Sequence, residues 1–177
     1  MDGNVDDMDI EVAEGQRPDD DNQSVLLSIE YNDPNLVKLR VGYEGCIPRD
    51  GNWLEFGRSI GAHTHLRDLS LDFRPVFQNR MMVCPPVYPT QQELEFFFTG
   101  LAVNTSIQKL SLNSCQLSGT MFSTLILFFK KNTSFHHLAI SQSSQRDHRY
   151  INLLSIALSE FNSLKEFSFG HSIKMNH

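Results

Sequence analysis

Cysteine is scarce in this sequence. Cys46, Cys84 and Cys115 are the only three among 177 residues, and no two of them form a CxxC pair. An odd number without that spacing offers no disulfide framework and suits a reducing compartment. Long apolar runs are missing too: the stretches 94–103 and 121–129 are the most apolar, and both fall short of the roughly 18 residues that cross a bilayer. The chain opens MDGNVDDMDIEVAEG, acidic where a secretory leader is basic and then apolar. These absences predict a cytoplasmic protein, with the nucleus as the alternative, and no membrane partner.

Positive charge is also thin. Residues 1–22 hold nine acids against Arg17 alone, a local charge of −8 within a total of −6, so the remainder stands at +2. The acid-rich stretch lacks aromatics and periodicity, and 1–22 is read as a disordered acidic tail ahead of one folded domain, 23–177. A nearly neutral body does not bind nucleic acid by bulk electrostatics, so none is expected as a partner.

Three catalytic signatures are lacking as well: the sequence holds no GxxxxGK[ST], HExxH or GxGxxG. His63-x-His65 lies in a polar link, and the adjacent pair His136 and His137 would face opposite sides of a strand, which does not assemble a metal site. Nothing near Cys84 in sequence would activate its thiol. The expectation is a protein that is not an enzyme, with no catalytic residues, metal or cofactor. Asn104-Thr-Ser and Asn132-Thr-Ser match the glycosylation acceptor pattern, but they recur at one place in a larger pattern and are read as structural links.

That larger pattern is what the sequence does contain. In IQKLSLNSCQL, from Ile107, apolar residues fall at offsets 0, 3 and 5, a cysteine at offset 8 and a leucine at offset 10. LVKLRV from Leu36, LRDLSL from Leu66, FHHLAI from Phe135 and LKEFSF from Leu164 repeat the first three positions, at intervals of 30, 41, 28 and 29 residues. Between the copies, apolar residues at spacings of three and four form helix stripes: Trp53, Phe56, Gly57 and Ile60; Leu94, Phe97, Phe98 and Leu101; Met121, Phe122, Leu125 and Phe129; and Tyr150, Leu153, Leu154, Ala157 and Phe161. Thr90-x-x-Glu93 ahead of the second stripe reads as a capping box. Strand side chains alternate, so offsets 3 and 5 share one face and offsets 2, 4 and 6 the other.

Ile107, Leu110, Leu112, Cys115 and Leu117 resemble the leucine-rich-repeat pattern LxxLxLxx(N/C)xL, and the unit length near 28 or 29 with a helix in each unit is similar to the ribonuclease-inhibitor-like subclass. The repeats are divergent, since Glu44, Arg74, Ser143 and Ser172 stand where Cys115 does. The resemblance implies an α/β solenoid of about five repeats over residues 24–177, with short parallel strands on a concave face and helices outside. It also implies protein–protein binding through that face, whose outward positions are Lys38, Arg40, Asp68, Ser70, Asp72, Lys109, Ser111, Asn113, His137, Ser141, Glu166 and Ser168, with Gly42, Ala139 and Gly170 among them.

Three departures from the pattern carry further expectations. The long interval holds Arg74–Thr90, with four prolines and no helical period, a loop insertion whose Val76, Phe77, Met81, Met82, Val87 and Tyr88 either anchor a partner or pack over the sheet edge. SVLLSIEYNDPNLVKLRV, from Ser24, reads as strand, turn and strand about as well as helix then strand, and a strand or hairpin covering the first unit is the favoured reading. No cap is visible after Phe169, so self-association through that edge, or a place as the recognition part of a larger regulatory or enzymatic protein, is expected.

Overall fold

The structure is a computed structural model and describes residues 18–42, 45–73, 77–78, 81–82, 89–115, 119–142, 158 and 164–171. The chain runs α1 (Pro18–Glu30), β1 (Lys38–Gly42), α2 (Trp53–Ala62), β2 (Asp68–Asp72), β3 (Phe77–Gln78), β4 (Met81–Met82), α3 (Gln91–Leu101), β5 (Lys109–Asn113), α4 (Gly119–Lys131), β6 (His137–Gln142) and β7 (Glu166–His171). A short 3-10 turn, Arg49–Gly51, precedes α2. No described helix is long and apolar enough to cross a membrane.

The five main strands form one parallel sheet in the order β1-β2-β5-β6-β7. Each begins two residues after an expected repeat start, and the register aligns equal offsets: Leu39, Leu69, Leu110, Leu138 and Phe167 lie side by side, as do Val41, Leu71, Leu112, Ile140 and Phe169. Alternation sends these rows, from β1 to β6, toward the helices. From Leu39 to Leu138 and from Val41 to Ile140 they are buried, in one core with Trp53, Phe56, Ile60, Leu94, Phe97, Met121 and Leu125 of the helix stripes. The fold is therefore α/β, with one face of the sheet covered by helices.

Local chemistry places the helix starts. Thr90 accepts the Glu93 N–H while the Glu93 carboxylate accepts the Thr90 N–H, which completes the expected capping box. Asn52 caps α2 by accepting the Glu55 N–H. Helices α2 and α3 then approach backbone to backbone through glycines. A Cβ on Gly57 would lie 2.2 Å from the Phe97 carbonyl oxygen, one on Gly61 2.4 Å from that of Gly100, and one on Gly100 2.5 Å from the Arg58 nitrogen. Only hydrogen fits at these three places.

Two expectations need correction or refinement. The stretch from Ser24 is helix α1 up to Glu30 and then strand β1 from Lys38, the helix-then-strand alternative and not the favoured strand or hairpin; α1 itself begins at Pro18, ahead of residue 23 where the folded part was expected to start. The apolar run Val25–Ile29 suits either period, and packing decides: Ile29 is buried, with Val25 and Leu26 partly buried against the same core. Asn22 already bonds Ile47 across 25 residues, in both directions. Within 74–90, Phe77–Gln78 and Met81–Met82 pair as a two-stranded antiparallel ribbon. Val76, Val87 and Tyr88 of the insertion, Cys84, and the stripe of Tyr150, Leu153, Leu154, Ala157 and Phe161 lie outside the described residues.

Candidate functional site: the polar face of the sheet

The helices cover one side of the sheet, so the other presents offsets 2, 4 and 6. The register gathers the fifteen candidate positions into three rows that run across the strands. The first is Lys38, Asp68, Lys109, His137 and Glu166; the second is Arg40, Ser70, Ser111, Ala139 and Ser168; the third is Gly42, Asp72, Asn113, Ser141 and Gly170. All but Gly42 are half-buried or exposed.

The first row alternates in sign from Lys38 to Lys109, and its far end is a pair: His137 Nδ1 lies 2.6 Å from Glu166 Oε2. That hydrogen bond, followed by the imidazole charge and with smaller help from Lys109 and His136, holds the exposed Glu166 carboxyl below the ordinary carboxylate value. His137 and Glu166 both occupy offset 2, so the strand pattern already placed them in one row; their hydrogen bond required the register. The second row is small down its middle, with Ser70, Ser111 and Ala139. At the edge of the third row Gly42 has φ +135°, and a Cβ there would lie 2.0 Å from the Asp72 carbonyl oxygen. The arrangement offers paired and alternating charges, hydroxyls and an amide on a rigid sheet. It holds neither a buried nucleophile nor a group of three or more His, Cys, Asp or Glu able to hold a metal among the described residues.

A second set of polar residues does different work. Asp33, His63, Asn104 and Asn132 each stand three residues ahead of a repeat start, in the link that leads into a strand. Their side chains accept the backbone N–H groups of that link: Asp33 from Asn35, His63 Nδ1 from His65 and Leu66, Asn104 from Ser106 and Ile107, and Asn132 from Ser134. Asn104 also donates to the Ile60 and His63 carbonyls, and Asn132 to that of Ile107, so each buried amide ties its own link to the preceding unit. Both sequon asparagines are thus enclosed and engaged, as their reading as links requires. The sequence already sets His63 where Asn104 and Asn132 stand in their links; the shared hydrogen bonds show what the three side chains do there.

The described thiols, Cys46 and Cys115, are buried and free; burial pushes the Cys46 pKa up to about 12 and raises that of Cys115 as well. Cys115 Sγ donates to the Asn113 carbonyl at 3.7 Å, closing the turn after β5. A groove of about 450 Å³ lies between α1, the 3-10 turn and α2, floored by Leu26, Ile29 and Phe56 and rimmed by Glu30, Asp50 and Glu55. Its lining includes no cysteine or histidine.

Comparison with known proteins gives a likeness of fold. No protein-family model matches the sequence, and no curated protein matches it. Among solved structures, one titled leiomodin-1 actin-binding site 2 superimposes with a TM-score of 0.62 at 15% identity, over 90% of this chain and 83% of that one. A Caenorhabditis elegans tropomodulin C-terminal domain superimposes with a TM-score of 0.51 at 14% identity, over 87% and 85%. Together with the parallel sheet and its repeated register, these neighbours fit a leucine-rich-repeat-type α/β fold.

Proposed function

We propose that this chain is a non-catalytic protein-binding module: a divergent leucine-rich-repeat solenoid of about five units, of the ribonuclease-inhibitor kind, that engages a partner through the polar face of its sheet. The observation that carries this reading is the alignment of three polar rows on one sheet whose opposite face, from β1 to β6, is occupied by core packing. Side chains spared from the core and held in fixed register give selectivity through charge and hydrogen-bond complementarity. The structural neighbour titled as an actin-binding site makes actin the first partner to test. A soluble cytoplasmic protein associated with the cytoskeleton suits that partner.

The test is co-sedimentation of the full chain with filamentous actin and titration against monomeric actin, alongside affinity capture from cell lysate. Each is repeated with the charge-reversed pairs Lys38→Glu, Arg40→Glu and Asp68→Lys, Asp72→Lys. Binding that weakens at least tenfold in either pair, with unchanged urea unfolding, supports the assignment. A partner held equally well by the parent and by both folded variants overturns the face, while failure of actin alone overturns only that partner.

A further inference from the structure

The outer edge of β7 is built differently from every other strand position in the sheet. In the parallel ladder Glu166 N–H donates to the His136 carbonyl, and the Cα register pairs Glu166 with His137. By the alternation of a parallel ladder, the backbone groups of Glu166, Ser168 and Gly170 are then spent on β6, while those of Phe167 and Phe169 point away from it. Among the described residues no strand pairs with that side. Phe167 is 44% exposed although it continues a row in which Leu39, Leu69, Leu110 and Leu138 are at most 5% exposed. An edge that presents free N–H and C=O groups beside an exposed aromatic is a template for another strand.

The sequence of that edge fits a second copy of itself. Directly opposed residues in an antiparallel pair share a face of the sheet, so a two-fold axis perpendicular to the sheet allows only pairings that keep alternation in step. Centred on Ser168, the pairing sets Phe167 opposite the partner's Phe169, and Phe169 opposite the partner's Phe167. These are the residues whose backbone groups face outward, so each couple exchanges two hydrogen bonds. Glu166 meets the partner's Gly170 and Ser168 meets its own copy, so no like charges are opposed. By alternation the paired positions lie on the core side, so the partner strand covers the surface that Phe167 leaves open. We propose that two copies of this chain associate antiparallel through β7, with Ser168 at the two-fold axis, to form one continuous sheet. The two polar faces then lie on the same side, and the dimer presents the face twice.

The experiment is sedimentation of the full chain over a wide concentration range, with Phe167→Lys and, in a Cys84→Ser background, Ser168→Cys. The parent is expected to show a reversible monomer–dimer equilibrium, and Phe167→Lys to weaken it at least tenfold while keeping the parental circular dichroism. At a non-hydrogen-bonded antiparallel pair the Cα atoms stand about 4.5 Å apart, inside the roughly 4.4–6.8 Å that a disulfide spans. Ser168→Cys should therefore oxidise to a covalent dimer, and Ser111→Cys, on the same face in mid-sheet, should not. If Phe167→Lys fails to fold, the cross-link alone decides. A parent that stays monomeric throughout with no Ser168→Cys cross-link overturns the proposal, as does a dimer that forms without that cross-link. Either result assigns the edge to another segment or another protein's strand.

Discussion

At the β1 edge the chain doubles back on itself: Cys46 donates its N–H to the Arg40 carbonyl, Gly42 donates to that of Cys46, and α1 buries Ile29 against the core behind them. At the β7 edge the outward backbone groups meet no described strand, and Phe167 stands 44% exposed in a row that is elsewhere closed. Both strands carry the same offsets and share one sheet, so the difference lies in the segments that flank them. Gly45 supports the fold-back at the first edge, because a Cβ there would lie 2.4 Å from the Arg40 carbonyl oxygen. One edge is finished by its own chain, and the other meets no strand among the described residues.

The strongest way to break that contrast uses the two glycines that end the third polar row. Gly42 has φ +135° and would place a Cβ 2.0 Å from the Asp72 carbonyl oxygen, whereas a Cβ on Gly170 would meet nothing within 4 Å. Gly42→Ala combines left-handed strain with a backbone clash and should cost about 4 kcal/mol in urea unfolding. Gly170→Ala should change stability by less than about 0.5 kcal/mol. Equal losses at both sites would mean that the two edges are closed alike.

Truncating the apolar side chain at each edge sharpens the same point on a smaller scale. Ile29, 3% exposed, packs in the common core, and Ile29→Ala should cost about 3 kcal/mol through lost burial and the cavity left behind. Phe167→Ala, measured at protein concentrations low enough to exclude association, should cost less than about 1 kcal/mol because nearly half of the ring is already in water. A loss at Phe167 as large as that at Ile29 would show the ring to be a core residue after all.

How much of this was legible in the sequence depends on which interactions are periodic. The apolar offsets 3 and 5 and the helix stripes around Phe56, Phe97 and Leu125 recur at fixed spacing, and every described residue among them in the first four units is buried. The polar rows were legible for the same reason, since alternation that hides Leu69 and Leu71 must turn Asp68, Ser70 and Asp72 the other way. Tertiary choices were not. Val25–Ile29 suits a strand or a helix by pattern, and only its packing selects α1. The glycine contacts between α2 and α3 leave no periodic mark, because Gly57, Gly61 and Gly100 are informative only when the helices are known to touch. The pairing of His137 with Glu166 spans 29 residues and depends on register.

The smallest effect concerns His63, where the closed end is tied down by a titratable group instead of an amide. Its Nδ1 accepts the N–H groups of His65 and Leu66, so the proton of the neutral ring sits on Nε2, which is buried without a partner at hydrogen-bond geometry. Burial first, then the neighbouring His65 charge, lowers its pKa below the ordinary 6.5, against upward pulls from Asp33 and the Ser28 backbone. A base whose folded pKa is lowered binds fewer protons in the fold than in the unfolded chain. Its contribution is therefore intact above pH 6.5 and declines as the pH falls through the folded value. The Glu166 pair acts in a separate window, since its loss begins only as the pH falls below the ordinary 4.5. An asparagine in place of His63 would reproduce the acceptor that Asn104 and Asn132 supply, so His63→Asn should leave neutral stability within about 1 kcal/mol and flatten the fall in stability between pH 7 and 5. Urea midpoints measured across that range decide it: an unchanged slope in the variant leaves His63 a purely geometric substitute for asparagine.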